Sequence, residues 1–207
     1  MRHNIFENTI RSIYWNLKGG YRPERFWDNW AEDFIKDSWQ KNIHRQHAWL
    51  LKKVKDINPE SILEIGCGFG RNIKFLLNEG IDPKKILGLD ISRKMLRNAR
   101  KHIGNKDVSL IHSDVKQLPF KDSSFDLVLV HGVLMHVEPQ KIEKVIREIK
   151  RVAGKHILLV EQNYGGNKFT FVHNYKKLLK EVRLNIAEYQ RDKISGLDYF
   201  WMSLTNK

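Results

Sequence analysis

Cysteine is nearly missing from this chain. Its 207 residues include one, Cys67, and a single thiol excludes any intrachain disulfide. Long apolar runs are missing as well: no stretch approaches the roughly 20 residues that a membrane span needs. The opening "MRHNIFENTIRSIYWNLKGG" lacks the uninterrupted apolar core of a signal peptide. These absences lead us to expect a cytoplasmic protein with no transmembrane segment. Acids are scarce relative to bases, 24 against 37, which leaves a net charge of +13. The excess is spread along the chain with one concentration, "SRKMLRNARKH", where Arg93, Arg97, Arg100 and Lys101 recur at helical spacing. Such a stripe can attract nucleic acid or an acidic membrane. No basic run is interleaved with aromatics, no zinc-finger spacing occurs, and no RNA-binding signature is recognisable, so a solvated helix face is the reading adopted. There is no internal repeat and no low-complexity linker.

What is present suits a folded chain. Hydrophobic residues make up 41% and aromatics 11%, which argues against disorder, and the length fits one α/β domain with an appendage. From Ser61 onward, short apolar strands alternate with amphipathic helices. "SILEI" predicts a buried strand, then a glycine turn and the helix "RNIKFLLNEG". "KILGLD" predicts a second strand, followed by the helix "SRKMLRNARKHIG" with Ser92 as N-cap and Gly104 at its end. "VSLIHSD" and "FDLVLVHG" predict the third and fourth strands, "EPQKIEKVIREIKRVAG" a helix, and "KHILLVE" the fifth strand. This alternation implies a parallel sheet with right-handed crossovers. A helix, "NYKKLLKEV", and a closing antiparallel pair, "LNIAEYQRD" and "LDYFWMSLT", complete the pattern.

Residues 1–57 differ in character. They hold five of the six tryptophans, Trp15, Trp27, Trp30, Trp39 and Trp49, and read as two or three helices forming a cap over a domain of residues 58–207. In the first helix Phe6, Ile10, Ile13 and Leu17 share a face, with Arg11 and Lys18 elsewhere. A basic amphipathic helix can lie on a membrane, but packing against its own domain is the expectation here.

The decisive stretch is "SILEIGCGFGR", residues 61–71. Its glycines, Gly66, Gly68 and Gly70, bring the third one residue earlier than the dinucleotide fingerprint G-x-G-x-x-G does. Glu64 also precedes them where a dinucleotide site usually has an apolar residue. An acid inside a buried run is costly without a partner, so Glu64 is read as functional. "LEIGCGFGRN", "LGLDIS" and "HSDVKQLPFKDSSFDLVLVHGVLMHV" together resemble the ordered motifs of the class I S-adenosylmethionine-dependent methyltransferases, in particular the small-molecule group called methyltransferase domain 11. The match covers roughly residues 60–162.

That resemblance implies a Rossmann-like, doubly wound, seven-stranded and mostly parallel sheet with an antiparallel last strand. It implies S-adenosyl-L-methionine as cofactor, with S-adenosyl-L-homocysteine as product. Glu64, Gly66, Cys67, Gly68, Gly70 and Asn72 would receive the methionine end, Cys67 being there because the loop leaves little room. Asp90 would bind both ribose hydroxyls, a task that suits an acceptor with two oxygens. Ser113 and Asp114 would meet the adenine, with Val115 on one side of the ring and Ile91 and Met95 on the other. His131 would sit beside the sulfonium.

Methyl transfer from a sulfonium is an in-line displacement that needs a base only when the acceptor arrives protonated. His136 in "LMHV" is the first candidate and His131 the second, since a histidine titrates near neutrality. Glu161 and His173 are expected to face the pocket. Trp27, Trp30 and Phe34 are expected as a lid, with cation–π contact to the sulfonium and plain core packing both open. His44 and His47 lie three apart on a helix without a carboxylate to complete a metal site, and are read as surface or packing residues. The acceptor is expected to be a small molecule, with RNA or protein as the alternative enzyme substrate and an inactive cofactor-binding protein as the alternative of another class.

Overall fold

The computed structural model describes residues 20–162 and 170–204, together with Ile10, Ile13, Tyr14, Trp15 and Leu17. After helical residues at Ile10, Ile13, Tyr14, Trp15 and Leu17 come helices α1 (Pro23–Lys36), α2 (Ser38–Lys41) and α3 (Arg45–Ile57). The chain continues through β1 (Ile62–Ile65), α4 (Arg71–Asn78), β2 (Ile86–Asp90), α5 (Arg93–Ile103), β3 (Ser109–His112) and β4 (Phe125–His131). A 3-10 turn (Leu134–His136) leads to α6 (Ile142–Val152), β5 (Ala153–Gln162), α7 (Tyr175–Glu181), β6 (Ile186–Asp192) and β7 (Leu197–Ser203).

The seven strands form one sheet in the order β3-β2-β1-β4-β5-β7-β6. Strands β1 to β5 pair in parallel, and β7 enters antiparallel between β5 and β6. The order reverses at β1, so the carboxyl ends of β1, β2 and β4 open onto one crevice, where such sheets bind ligands.

Strand alternation assigns the two helix layers. Leu63, Ile65, Val128 and Val130 face α6 and α7, joining Val145, Ile146, Ile149 and Leu179 in one core. Ile62, Leu127 and Leu129 face the other way, onto Leu50 and Val54 of α3, Ile73 and Leu76 of α4, and Ala99 and Ile103 of α5. Helix α3 therefore lies in the sheet's own helix layer, while α1 overhangs the crevice. Ala31, Trp27, Phe34 and Ile35 of α1 pack with Phe69 and Met95.

The apolar face expected on the first helix behaves differently from its expectation. Ile10, Ile13 and Leu17 are 52, 53 and 82% exposed. The reason is the opposite face, where Trp15 sits 4.8 Å from the Tyr21 ring and 6.1 Å from Phe26. Phe6, Arg11 and Lys18 lie outside the described residues.

Candidate functional site at the switch point

Each glycine of the loop after β1 has its own task. All three have positive φ, at +68, +55 and +82°, a region that penalises a side chain. A Cβ on Gly66 would lie 2.3 Å from Cγ2 of Val133, and one on Gly70 2.7 Å from Cδ1 of Ile103. Gly66 thus brings the β1 and β4 loops together, and Gly70 lets α4 approach α5. Gly68 is the open one: nothing stands within 4 Å of the place a Cβ would take. Cys67 is turned into the core, where its sulfur is 3.0 Å from a Cβ placed on Gly88. Its backbone N–H donates to the Leu89 carbonyl, 2.9 Å.

Asp90 ends β2 and is buried. Its Oδ2 accepts from Gly68 N–H at 2.8 Å and its Oδ1 from Ser92 N–H at 2.8 Å. Burial raises its pKa to about 6 against the pull of these donors, and each oxygen keeps acceptor capacity. Ser92 caps α5 as its sequence predicts, accepting from Met95 N–H at 3.0 Å. Ser92 also donates its hydroxyl to Asp28 Oδ1 of α1 at 2.6 Å, and Lys94 N–H donates to the same oxygen at 3.0 Å. Asp28 therefore clasps the overhanging helix to the start of α5. Nothing in the local sequence marks this contact, because its partners are 64 and 66 residues away.

Glu64 falls on the face of β1 turned towards α3 and α4. Asn72 donates its amide to Glu64 Oε1 at 2.6 Å and lies 3.1 Å from His131 Nδ1, so one side chain joins β1 to β4. Glu64 Oε2 is buried with no hydrogen-bond partner, and burial pushes the carboxyl up to about 8. His131 is held well below its usual value by burial, with Arg71 and His47 adding positive charge nearby.

A cleft of about 140 Å³ opens above these groups. Gly66, Gly68, Asp90 and His131 line its inner part. Ile91, Met95, Ser113, Asp114 and Val115 line its far end, and Trp27, Phe34 and His136 its roof and mouth. Trp27 stands edge-on to His136, ring centres 4.9 Å apart. The sequence reading had not singled out Pro23, Lys116, Gly132, Val133 or Lys141, which also line it. Glu64, Cys67, Gly70 and Asn72 support the wall from behind rather than line it.

Three expected lining residues stand elsewhere. Trp30 is 36% exposed, on the outer side of α1. Glu161 belongs to the opposite sheet face, the side of Ile157 and Leu159, and is fully buried. It accepts from the N–H groups of Val133, Leu134 and Met135 at 3.0, 2.9 and 3.2 Å. His173 is buried too, its Nε2 3.0 Å from the Val137 carbonyl. Both brace the turn that carries His136. Among the described residues no group of His, Cys, Asp and Glu could hold a metal ion.

Known proteins resemble this chain in sequence and in fold. A family model described as "Methyltransferase domain" matches residues 63–159. An uncharacterized protein of Methanocaldococcus jannaschii is 31% identical over 86% of this chain and 79% of its own length. The chain is 30% identical to the tRNA N(3)-methylcytidine methyltransferase Mettl2 of Drosophila melanogaster and 32% to a demethylmenaquinone methyltransferase of Thermotoga maritima. It covers 68 and 55% of itself in these matches but only 47 and 44% of those two relatives. The chain belongs to the class I S-adenosylmethionine-dependent methyltransferases. Solved structures share the fold: magnesium protoporphyrin IX methyltransferase of Synechocystis PCC 6803 with bound SAH has a TM-score of 0.65 at 17% identity, covering 95% of this chain and 99% of that one. A chain of the complex between the Haloferax volcanii Trm112 methyltransferase activator and a putative methyltransferase reaches 0.71 at 17% identity, covering 90 and 99%.

The residues of this methyltransferase fit its cofactor, S-adenosyl-L-methionine. Glu64 Oε2 is a buried acceptor without a donor, suited to an ammonium. The open space at Gly68 and Gly132 leaves backbone bare where a ligand can approach closely. No helix among the described residues is long and apolar enough to cross a membrane.

Proposed function

We propose that this methyltransferase acts on an O, N or C nucleophile of a small-molecule metabolite by in-line displacement. The observation that carries the reading is the roof: Trp27 and Phe34 of α1 line, together with Gly68, Asp90, His131 and His136, one mostly apolar cleft. When bound, S-adenosyl-L-methionine supplies an electrophilic methyl on a sulfonium. This chain's part is to position, and orientation alone can contribute about 7–11 kcal/mol. Asp90 holds the ribose, Asp114 and Ser113 the adenine edge, and Glu64 the ammonium. Val115, Ile91 and Met95 sandwich the purine. His136, at the mouth, is the base for a protonated acceptor. His131 is half-buried in the cleft lining and serves as wall and as partner to Asn72. Helix α1, within the expected cap of residues 1–57, acts as the lid that selects the acceptor, and the single cysteine accords with a reducing compartment such as the cytoplasm.

A second reading, methylation of RNA, is favoured by the exposed stripe of Arg93, Arg97, Arg100 and Lys101 on α5 beside the same crevice, and by the name of the Drosophila relative. Incubation with labelled methyl donor and either a fractionated metabolite pool or tRNA separates the two. Label in small molecules supports the first reading. Salt-sensitive label in tRNA, with none in metabolites, overturns it.

A further inference from the structure

The helical residues ahead of α1 turn an aliphatic side outwards. Ile10, Ile13 and Leu17 follow one another at three and four positions, which sets them on one helical stripe, and each is more than half exposed. The other side is anchored. Trp15 packs on Tyr21 and Phe26 at ring distances of 4.8 and 6.1 Å, and its carbonyl accepts from Gly20 N–H at 2.8 Å. Phe26 in turn stands 5.3 Å from Trp27, which lines the cleft. The stripe therefore rides on the same aromatic stack that roofs the cleft.

Charge selects what covers the stripe. Residues 1–25 carry five bases, Arg2, Arg11, Lys18, Arg22 and Arg25, against two acids. Arg22 and Arg25 are exposed at the start of α1, and one of the acids, Glu24, is engaged with His112 at 3.2 Å. An isologous contact with a second copy would set this basic segment against itself, in a chain of net charge +13. RNA is drawn by the same charge, but a stripe of Ile and Leu offers it neither hydrogen bonds nor rings to stack on. An anionic bilayer answers both features: its acyl boundary takes the aliphatic stripe, and its headgroups take the bases. We propose that the stripe of Ile10, Ile13 and Leu17 docks the protein on an anionic membrane surface, close to the cleft roof. Docking goes beyond the small-molecule reading and does not depend on which acceptor is methylated.

Vesicle sedimentation with the full chain tests it without turnover. Vesicles of phosphatidylcholine mixed with phosphatidylglycerol should bind the protein about tenfold more tightly than phosphatidylcholine alone, with the difference shrinking as salt rises. Ile13→Ser with Leu17→Ser should weaken binding to the anionic vesicles by about tenfold, since two aliphatic side chains no longer enter the bilayer. Tm and S-adenosylhomocysteine binding should stay as in the unaltered protein, because both positions are exposed. Leu17→Ser alone carries the same test should the pair unfold. Arg22→Gln with Arg25→Gln should lose a few-fold and flatten the salt dependence. Three results overturn the proposal: no sedimentation with anionic vesicles at low salt, equal binding to both vesicle types, or undiminished binding by the serine variant. A dimer that the serine variant dissolves would assign the stripe to a second copy, and tRNA binding lost in that variant would assign it to RNA. Either outcome overturns docking on lipid.

Discussion

The floor of the site and its roof are built on different physical terms. The floor, from the ends of β1, β2 and β4, is fixed by strand register and by short hydrogen bonds to backbone and to a neighbouring side chain. Asp90 is tied to Gly68 and Ser92, and Glu64 to Asn72. The roof, α1, is held by aromatic contacts such as Trp27 with Phe34, ring centres 5.5 Å apart, and by a few polar clasps. These include Asp28 with Ser92 and Lys94, Glu32 with Asn98, and Glu24 Oε1 with His112 Nε2 at 3.2 Å. A rigid floor under a lightly clasped roof suits a site that must admit a large cofactor and then exclude water.

The largest effect should come from the floor. If Asp90 holds both ribose hydroxyls as proposed, Asp90→Ala should weaken S-adenosylhomocysteine binding by more than about 100-fold, at roughly 1.5–3 kcal/mol per charged hydrogen bond. Thermal unfolding with ligand reads this directly: a full stabilising shift in the variant would sink the assignment. The glycines sharpen the same point. Gly66→Ala drives a methyl into Val133 and should lower Tm by several degrees. Gly68→Ala meets open space, so its cost is the positive φ, about 1 kcal/mol, with a disproportionate loss of ligand affinity. If both variants lost stability alone, the open space at Gly68 would have no bearing on binding.

The buried carboxylates set the pH behaviour. In the folded chain Glu64 and Glu161 are raised by burial to about 8 and about 7, so the native state holds protons there that the unfolded chain has released. Their contribution to stability is present at low pH and is lost as pH rises through these values. Buried His47 and His173, lowered to about 4, act the opposite way, and only below about pH 6.5. Ligand-free stability should therefore fall between about pH 6.5 and 8, by at most about 1.4 kcal/mol per pH unit for each carboxylate. Glu161→Gln and Glu64→Gln should each flatten the slope in chemical denaturation. Because an ammonium needs Glu64 ionised, S-adenosylhomocysteine should release a proton on binding at pH 7, seen as buffer-dependent heat. No release would remove Glu64 from the ammonium.

The smallest effect belongs to the roof. Asp28→Ala should cost about 1 kcal/mol, the worth of a helix cap, and raise the dissociation constant only a few-fold. Amide exchange should quicken in α1 and leave β1 unchanged. Faster exchange in both would mean that floor and roof are one cooperative unit.

Much of this was legible in the chain. Strands with apolar runs, the caps Ser92 and Gly104, and glycines that demand positive φ are local signals, and they led to the sheet order and to the glycine loop at its switch point. The expectation failed where the answer lay in strand parity or in a distant partner. Glu161 and His131 end neighbouring strands, yet they face opposite sides of the sheet, so only His131 reaches the cleft. Trp27 and Trp30 are three residues apart on one helix, yet one lines the cleft and the other meets solvent. His47 looked like any helical histidine until α3 was laid beside β4.

The sequence by itself determined a mostly parallel sheet with a glycine loop after β1, because periodicity and glycine conformation act over a few residues. Only the tertiary structure decided that Asp28 clasps the lid, that Glu161 braces the turn of His136, and that His47 faces His131. Those relations join residues 25 to 84 positions apart, and long-range packing, not local propensity, chooses such partners.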